Sequence, residues 1–251
     1  QTWTRYRLML VPLLESQFLL HLPDIYHELG HPILEEKHDP KVRPFQEKLV
    51  ELVNEAMDYI VDEAGKSSRR NDPQIYTLYW DTWSRCWIDW ATEFMCDLFA
   101  VYVLGPAFAW SHLHLSATRG VDPYQVPLVG NTTRHPPDAA RMEAILEGLT
   151  LTGFAAEASE IEEQWKIFVA IAQPKTPPEF RRCFPVALIK SAARKAFEGV
   201  SGIGCRIVSR ETDGTAHQLF DEAWREFWRS PTTYVQWESE TVRELRGLLS
   251  R

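Results

Sequence analysis

Apolar residues recur at helical spacing along most of the chain. The pattern is clearest from Pro44 to Ala64, where Phe45, Leu49, Leu52, Val53, Ala56, Ile60 and Val61 fall on one face. Pro44 stands where a first helical residue belongs, and Gly65 is the expected stop. K-S-S-R-R-N-D-P at 66–73 reads as a loop, and a strongly apolar helix is predicted from about Ser84 to Leu104, ended by Gly105-Pro106. A shorter helix follows over Ala107 to Ser116. Between Thr118 and Pro137 the Pro, Gly and Asn residues predict an irregular loop, long enough to favour a functional role or disorder over a plain connector. Helices resume near Asp138 and Phe154. The Pro-rich A-Q-P-K-T-P-P-E at 172–179 is the candidate boundary between a domain over 1–173 and a helical C-terminal extension over 174–251, with helices near 179–198, 216–229 and 233–249. Residues 4–22 also read as helix, and only G-C-R-I-V-S-R-E at 204–211 suggests a strand. The fold class predicted is mainly α.

Composition narrows the function classes. With 251 residues, 45% hydrophobic and 25% charged, the chain can bury a large core, and a net charge of −8 argues against a nucleic-acid partner. The most apolar run, at 95–110, is too short for a bilayer span and carries Asp97 and Gly105-Pro106, so no membrane span is expected. Cys86, Cys96, Cys183 and Cys205 show no C-x-x-C spacing, which favours reduced thiols in a cytoplasmic protein over a disulfide framework. Gln1 opens the chain without a basic segment or cleavage site, so no signal peptide is expected, and a longer parent protein fits the missing initiator methionine.

The candidate chemistry lies in H-E-L-G-H at 27–31. On a helix, positions i and i+4 stand one above the other, so His27 and His31 would present two imidazoles to one metal ion. Glu28 beside them could take a proton from a water that the metal activates, which is the mechanical meaning of H-E-x-x-H. A catalytic zinc site usually has three protein ligands, so a third is needed. Glu93 and Asp97 in W-A-T-E-F-M-C-D-L-F-A supply the candidates, spaced i, i+4 on a helix apolar nearly all round. Carboxylates there need partners. A metal for Glu93 and a ligand imidazole N–H for Asp97 would satisfy both, as would a polar groove or a salt bridge to Arg85 or Arg141.

These motifs resemble the gluzincins, zinc peptidases with H-E-x-x-H on one helix and E-x-x-x-D on a later one. R-H-P-P-D-A-A-R-M at 134–142 is similar to the H-P-P-x-x-x-R element that follows the zinc motifs in the family of the heat-shock protease HtpX and the CaaX prenyl protease. The resemblance covers about 27–145. It implies a zincin-like helical metallopeptidase domain with zinc held by His27, His31 and Glu93, Glu28 as general base, and Asp97 supporting a ligand. It also places His135 and Arg141 near the site, where either could stabilise an oxyanion or fasten the loop. The substrate implied is a polypeptide, and an activating partner fits the same reading.

Three features depart from the family pattern. Pro32 directly after His31 is expected to kink or stop the helix. The membrane spans of HtpX-type enzymes are missing, and 4–22 reads as helix where such peptidases align substrate on an edge strand. Two other readings stand beside the hydrolase. One is a non-catalytic interaction module stapled by a structural zinc. The other is a carboxylate-bridged di-iron site, for which Glu28-x-x-His31 and Glu35-x-x-His38 match the ligand unit but lie adjacent and split by Pro32. His112 and His114 alternate, so they point to different sides of a helix. His21, His38 and His217 read as surface residues.

Overall fold

A computed structural model describes residues 2–3, 8–9, 18–67, 73–212 and 215–249. These residues are mainly helical, in the order β1 (Thr2–Trp3), β2 (Leu8–Met9), α1 (Leu22–Glu35), α2 (Arg43–Ser67), α3 (Pro73–Leu104), α4 (Pro106–Arg119), α5 (Asp138–Leu151), α6 (Ala155–Ala172), α7 (Phe180–Cys183), α8 (Val186–Gly202), α9 (Thr215–Arg229) and α10 (Tyr234–Leu249). Among the described residues, no helix is long and apolar enough to cross a membrane.

α3 is the centre of the packing, with α1, α2, α4, α5, α8 and α9 laid against it. Its sequence explains this. Leu98, Met95, Phe99, Cys96, Ala100, Leu104 and Val101 follow one another round the full circumference of the helix, and all are buried, as are Trp87, Trp90, Phe94 and Tyr102. A helix apolar on all sides is stable only when neighbours cover every face. Two of the larger rings have partners for their polar tips. Trp87 Nε1 donates to the Cys183 carbonyl at 3.2 Å, and Tyr102 donates to the Ala193 carbonyl at 2.6 Å. The second of these bonds ties α3 to α8, so the core continues across the Pro-rich segment that precedes α7.

α3 ends at Gly105, whose φ of 71° is readily reached only without a Cβ, and Pro106 then opens α4. The loop from Gly120 to Pro137 is irregular, as its composition predicts, and it is pinned along α3. Gly130 N donates to Thr82 Oγ1 at 2.9 Å, and Trp90 Nε1 donates to Thr133 Oγ1 at 3.3 Å. Ala139 N bonds the Pro123 carbonyl at 2.9 Å, closing the loop onto the start of α5.

Several expectations need correction. α2 runs through Gly65 to Ser67, and α3 begins at Pro73, earlier than the expected Ser84. Residues 68–72 of the expected loop lie outside the described residues. On α2 the face carrying Phe45, Leu52, Ala56 and Ile60 is buried as expected, but Val61 is exposed because it has turned past the edge of the apolar stripe. Residues 204–211 form no strand: Val208 N donates to the Tyr102 carbonyl at 2.8 Å, a single bond to a helix end. Within 4–22, Leu8–Met9 pairs antiparallel with Thr2–Trp3 in place of the expected helix, and Leu19–His21 forms a 3-10 turn leading into α1. Residues 4–7 and 10–17 lie outside the described residues. His217 is buried on the inner face of α9 rather than at the surface.

Candidate metal centre

α1 carries both histidines, and it runs through Pro32 to Glu35 where a kink or stop was expected. Pro32 contributes no N–H to the helix ladder. The last turn holds because Leu34 is buried and Gln46 Nε2 from α2 donates to the carbonyls of Ile33 and Leu34, both at 3.2 Å. The histidines therefore stay on one face, with ring centroids 5.2 Å apart.

Gly30 sets how close that face comes to α3. A Cβ there would lie 2.9 Å from Cys96 Cα, a separation that side chains do not tolerate against backbone. The contact brings α1 and α3 together at the level of Glu93. His27 Nε2 lies 3.4 Å from Glu93 Oε2, and His31 Nε2 lies 3.7 Å from Glu93 Oε1. One donor atom from each of the three residues falls within 4.8 Å of the others. Glu93 is buried, and its Oε2 has no hydrogen-bond partner. A buried carboxylate whose Oε2 faces His27 Nε2 and whose Oε1 faces His31 Nε2 suits a zinc ion, which accepts this mixture of nitrogen and oxygen ligands.

Behind the cluster, Asp97 serves both partners that the sequence left as alternatives. Its Oδ1 lies 2.8 Å from His27 Nδ1, and Arg141 donates to it twice, Nε to Oδ2 at 2.7 Å and Nη2 to Oδ1 at 2.6 Å. Arg141 reaches it from the first turn of α5, and Arg85 instead pairs with Asp81 on the exposed side of α3. A proton on His27 Nδ1, directed at Asp97, leaves Nε2 to face Glu93 and His31. Phe108 of α4 stacks on the His27 ring with centroids 6.2 Å apart, fixing its plane. Phe108 carries no signal in the motif and was not singled out from sequence.

The electrostatics follow from this packing. Burial alone would disfavour charge on His27, but Asp97 and Glu93 outweigh it and raise the group to about 9. Burial likewise opposes ionisation of Glu93, yet His135 and His27 hold its carboxyl well below the usual range. For Asp97, burial is outweighed by Arg141 and then His27, with the same result. Burial and the His27 charge lower His31, which leaves it neutral and ready to be a ligand.

His135 is largely exposed, with Nδ1 3.0 Å from Glu93 Oε2. The Gly120–Pro137 loop carries it there. Glu28 is half-buried, and its charge is felt by His31 and Cys96. Asp24, one turn before His27, accepts a 2.7 Å hydrogen bond from Ser111 of α4 and was missed because no motif includes it. The other histidines lie apart from the cluster: His112 is buried against Trp165, and His114 packs on Trp224 and Phe227. Comparison with family models, curated proteins and solved structures finds no match to this chain.

Proposed function

We propose that the chain is a zinc-dependent hydrolase of the gluzincin type, a zincin-like metallopeptidase acting on a polypeptide. The observation that carries this reading is the meeting of His27, His31 and Glu93 donor atoms within 4.8 Å, beside a Glu93 oxygen that has no hydrogen-bond partner. Zinc in such a site polarises a substrate carbonyl and lowers the pKa of a water toward about 7. Glu28 takes the proton of the attacking water and passes it to the leaving amine. Asp97 keeps His27 in the tautomer that offers Nε2, and Arg141 keeps Asp97 ionised and oriented. His135, at the open side of Glu93, donates to the developing oxyanion. β1, paired antiparallel with β2, lies beside α1, and on this reading an extended peptide would pair with that ribbon. The cysteines are free, three of them buried, and a cytoplasmic location belongs to the same reading.

The 3.0 Å approach of His135 to Glu93 favours a second reading, in which His135 covers the site and zinc only staples α1 to α3. Glu28→Gln separates the two. In the hydrolase it keeps zinc and fold and loses about 10²–10⁴-fold in activity. The assay compares polypeptides cleaved by wild type and variant expressed in the native cell. Equal cleavage of a verified target by both proteins rejects Glu28 as the base.

A further inference from the structure

Glu157, Glu160, Gln164, Ile167 and Ile171 succeed one another at steps of three and four residues, so they share one face of α6. That face extends for about 21 Å. With α4 and α9 it bounds two cavities, of about 350 and 800 Å³, that share Trp228 as a wall. Neither includes a residue of the metal cluster.

The two cavities differ in chemistry. The larger is walled by Leu113, Val121, Ile167, Phe168 and Ile171, and its volume and apolar lining fit a small organic ligand. Ile167 and Ile171 are exposed there. The smaller is walled by Trp110, whose ring centroid is 5.6 Å from that of Trp228, and by Glu157, Glu160, Asp221 and Arg225. Glu157 Oε2 and Asp221 Oδ1 are buried without hydrogen-bond partners. Arg210 pairs with Glu157 at 3.2 Å, and Arg229, also in the wall, pairs with Glu226 at 3.2 Å. With those pairs set aside, Asp221 and Glu160 stand against Arg225 alone, so the cavity keeps an excess of negative charge. Burial pushes Asp221 up to about 7 despite Arg225 and a hydrogen bond from the Ala107 backbone.

We infer that this groove binds an amphipathic alkylamine, with its ammonium group beside Asp221 and Glu157 at the open side of the tilted Trp110–Trp228 pair and its chain in the apolar cavity. The carboxylates supply the countercharge, the indoles add cation–π attraction, and the isoleucines cover the chain.

Decylamine, decanol, decanoate and butylamine are the probes, each titrated calorimetrically into the whole protein below its aggregation limit. Decylamine is expected to bind at least about tenfold more tightly than the other three. Asp221→Asn, nearly the same shape, should bring decylamine to the affinity of decanol while leaving decanol binding and zinc content unchanged. Ile171→Asp, at an exposed position, should weaken both ten-carbon probes. If Asp221→Asn fails to fold by circular dichroism, Glu160→Gln replaces it, with an expected loss of about two- to threefold for decylamine alone. The inference is overturned by decanoate binding as tightly as decylamine, by an amine preference that survives the substitution, or by no saturable binding. Sedimentation of a dimer that decylamine does not dissociate also overturns it, because the groove is then covered by a second copy.

Discussion

The inner and outer layers of the candidate metal centre both pair a carboxylate of α3 with histidine, and they differ in how far they are satisfied. In the inner layer Asp97 is fully buried, and its two oxygens take three contacts from His27 and Arg141. Four residues away on the same helix, Glu93 is nearly as buried, but its neighbours are the imidazoles of His135, His27 and His31 at 3.0, 3.4 and 3.7 Å, none in hydrogen-bond geometry to Oε2. The inner layer is complete within the protein. The outer layer groups the His27, His31 and Glu93 donor atoms proposed above to hold zinc. On the proposed reading, Asp97 and Arg141 orient His27 without any metal, and affinity for zinc would come from His27, His31 and Glu93.

The largest effect that would break this contrast comes from Arg141→Ala, which leaves the Asp97 charge buried and unpaired. It is expected to cost about 3–5 kcal/mol in urea unfolding of the metal-free protein, well beyond an exposed ion pair such as Arg85–Asp81. A loss equal to that of Arg85→Ala would show that the inner layer is not held by this pair. Gly30→Ala comes next. Its Cβ meets Cys96 backbone, so α1 must move off α3, with an expected destabilisation of about 1–3 kcal/mol and weaker zinc binding in the same variant. Asp97→Asn keeps the shape and removes the charge that orients His27, and zinc affinity should fall about 10–100-fold without vanishing. Unchanged affinity would detach the inner layer from the site.

The smallest effect is in pH. His27 is raised in the metal-free protein, so its contribution to stability is full below 6.5 and is lost as pH rises through about 9. Zinc needs the same Nε2 without its proton, so binding releases about one proton and tightens about tenfold per pH unit across that window. The gap in melting temperature between zinc-loaded and zinc-free protein should therefore widen from pH 6.5 to about 9. A constant gap would mean that His27 is not displaced from its proton by the metal.

How much was legible follows the range of each interaction. His27, His31 and the Glu93–Asp97 pair stand out because i, i+4 spacing is a local rule, and the apolar face of α2 is visible for the same reason. What sequence could not fix was where helices stop. Gly65 and Pro32 carry local signals to break, yet packing of Leu34 and the Gln46 amide hold the end of α1. The partner of Asp97 was open between an imidazole and an arginine because the choice depends on how α5 lies on α3, and the answer is both. Phe108 and Ser111 reach the site through the left-handed Gly105 turn, which directs α4 back over α1, and no spacing rule encodes that.

The most direct test of the central claim is zinc titration of purified, chelator-stripped protein, followed by bound-metal analysis, for wild type and Glu93→Ala. The account predicts about one zinc per chain in the wild type and none retained after Glu93→Ala, with both proteins folded. A folded wild type that takes up no zinc, or a Glu93→Ala variant that binds it as tightly as wild type, would contradict it.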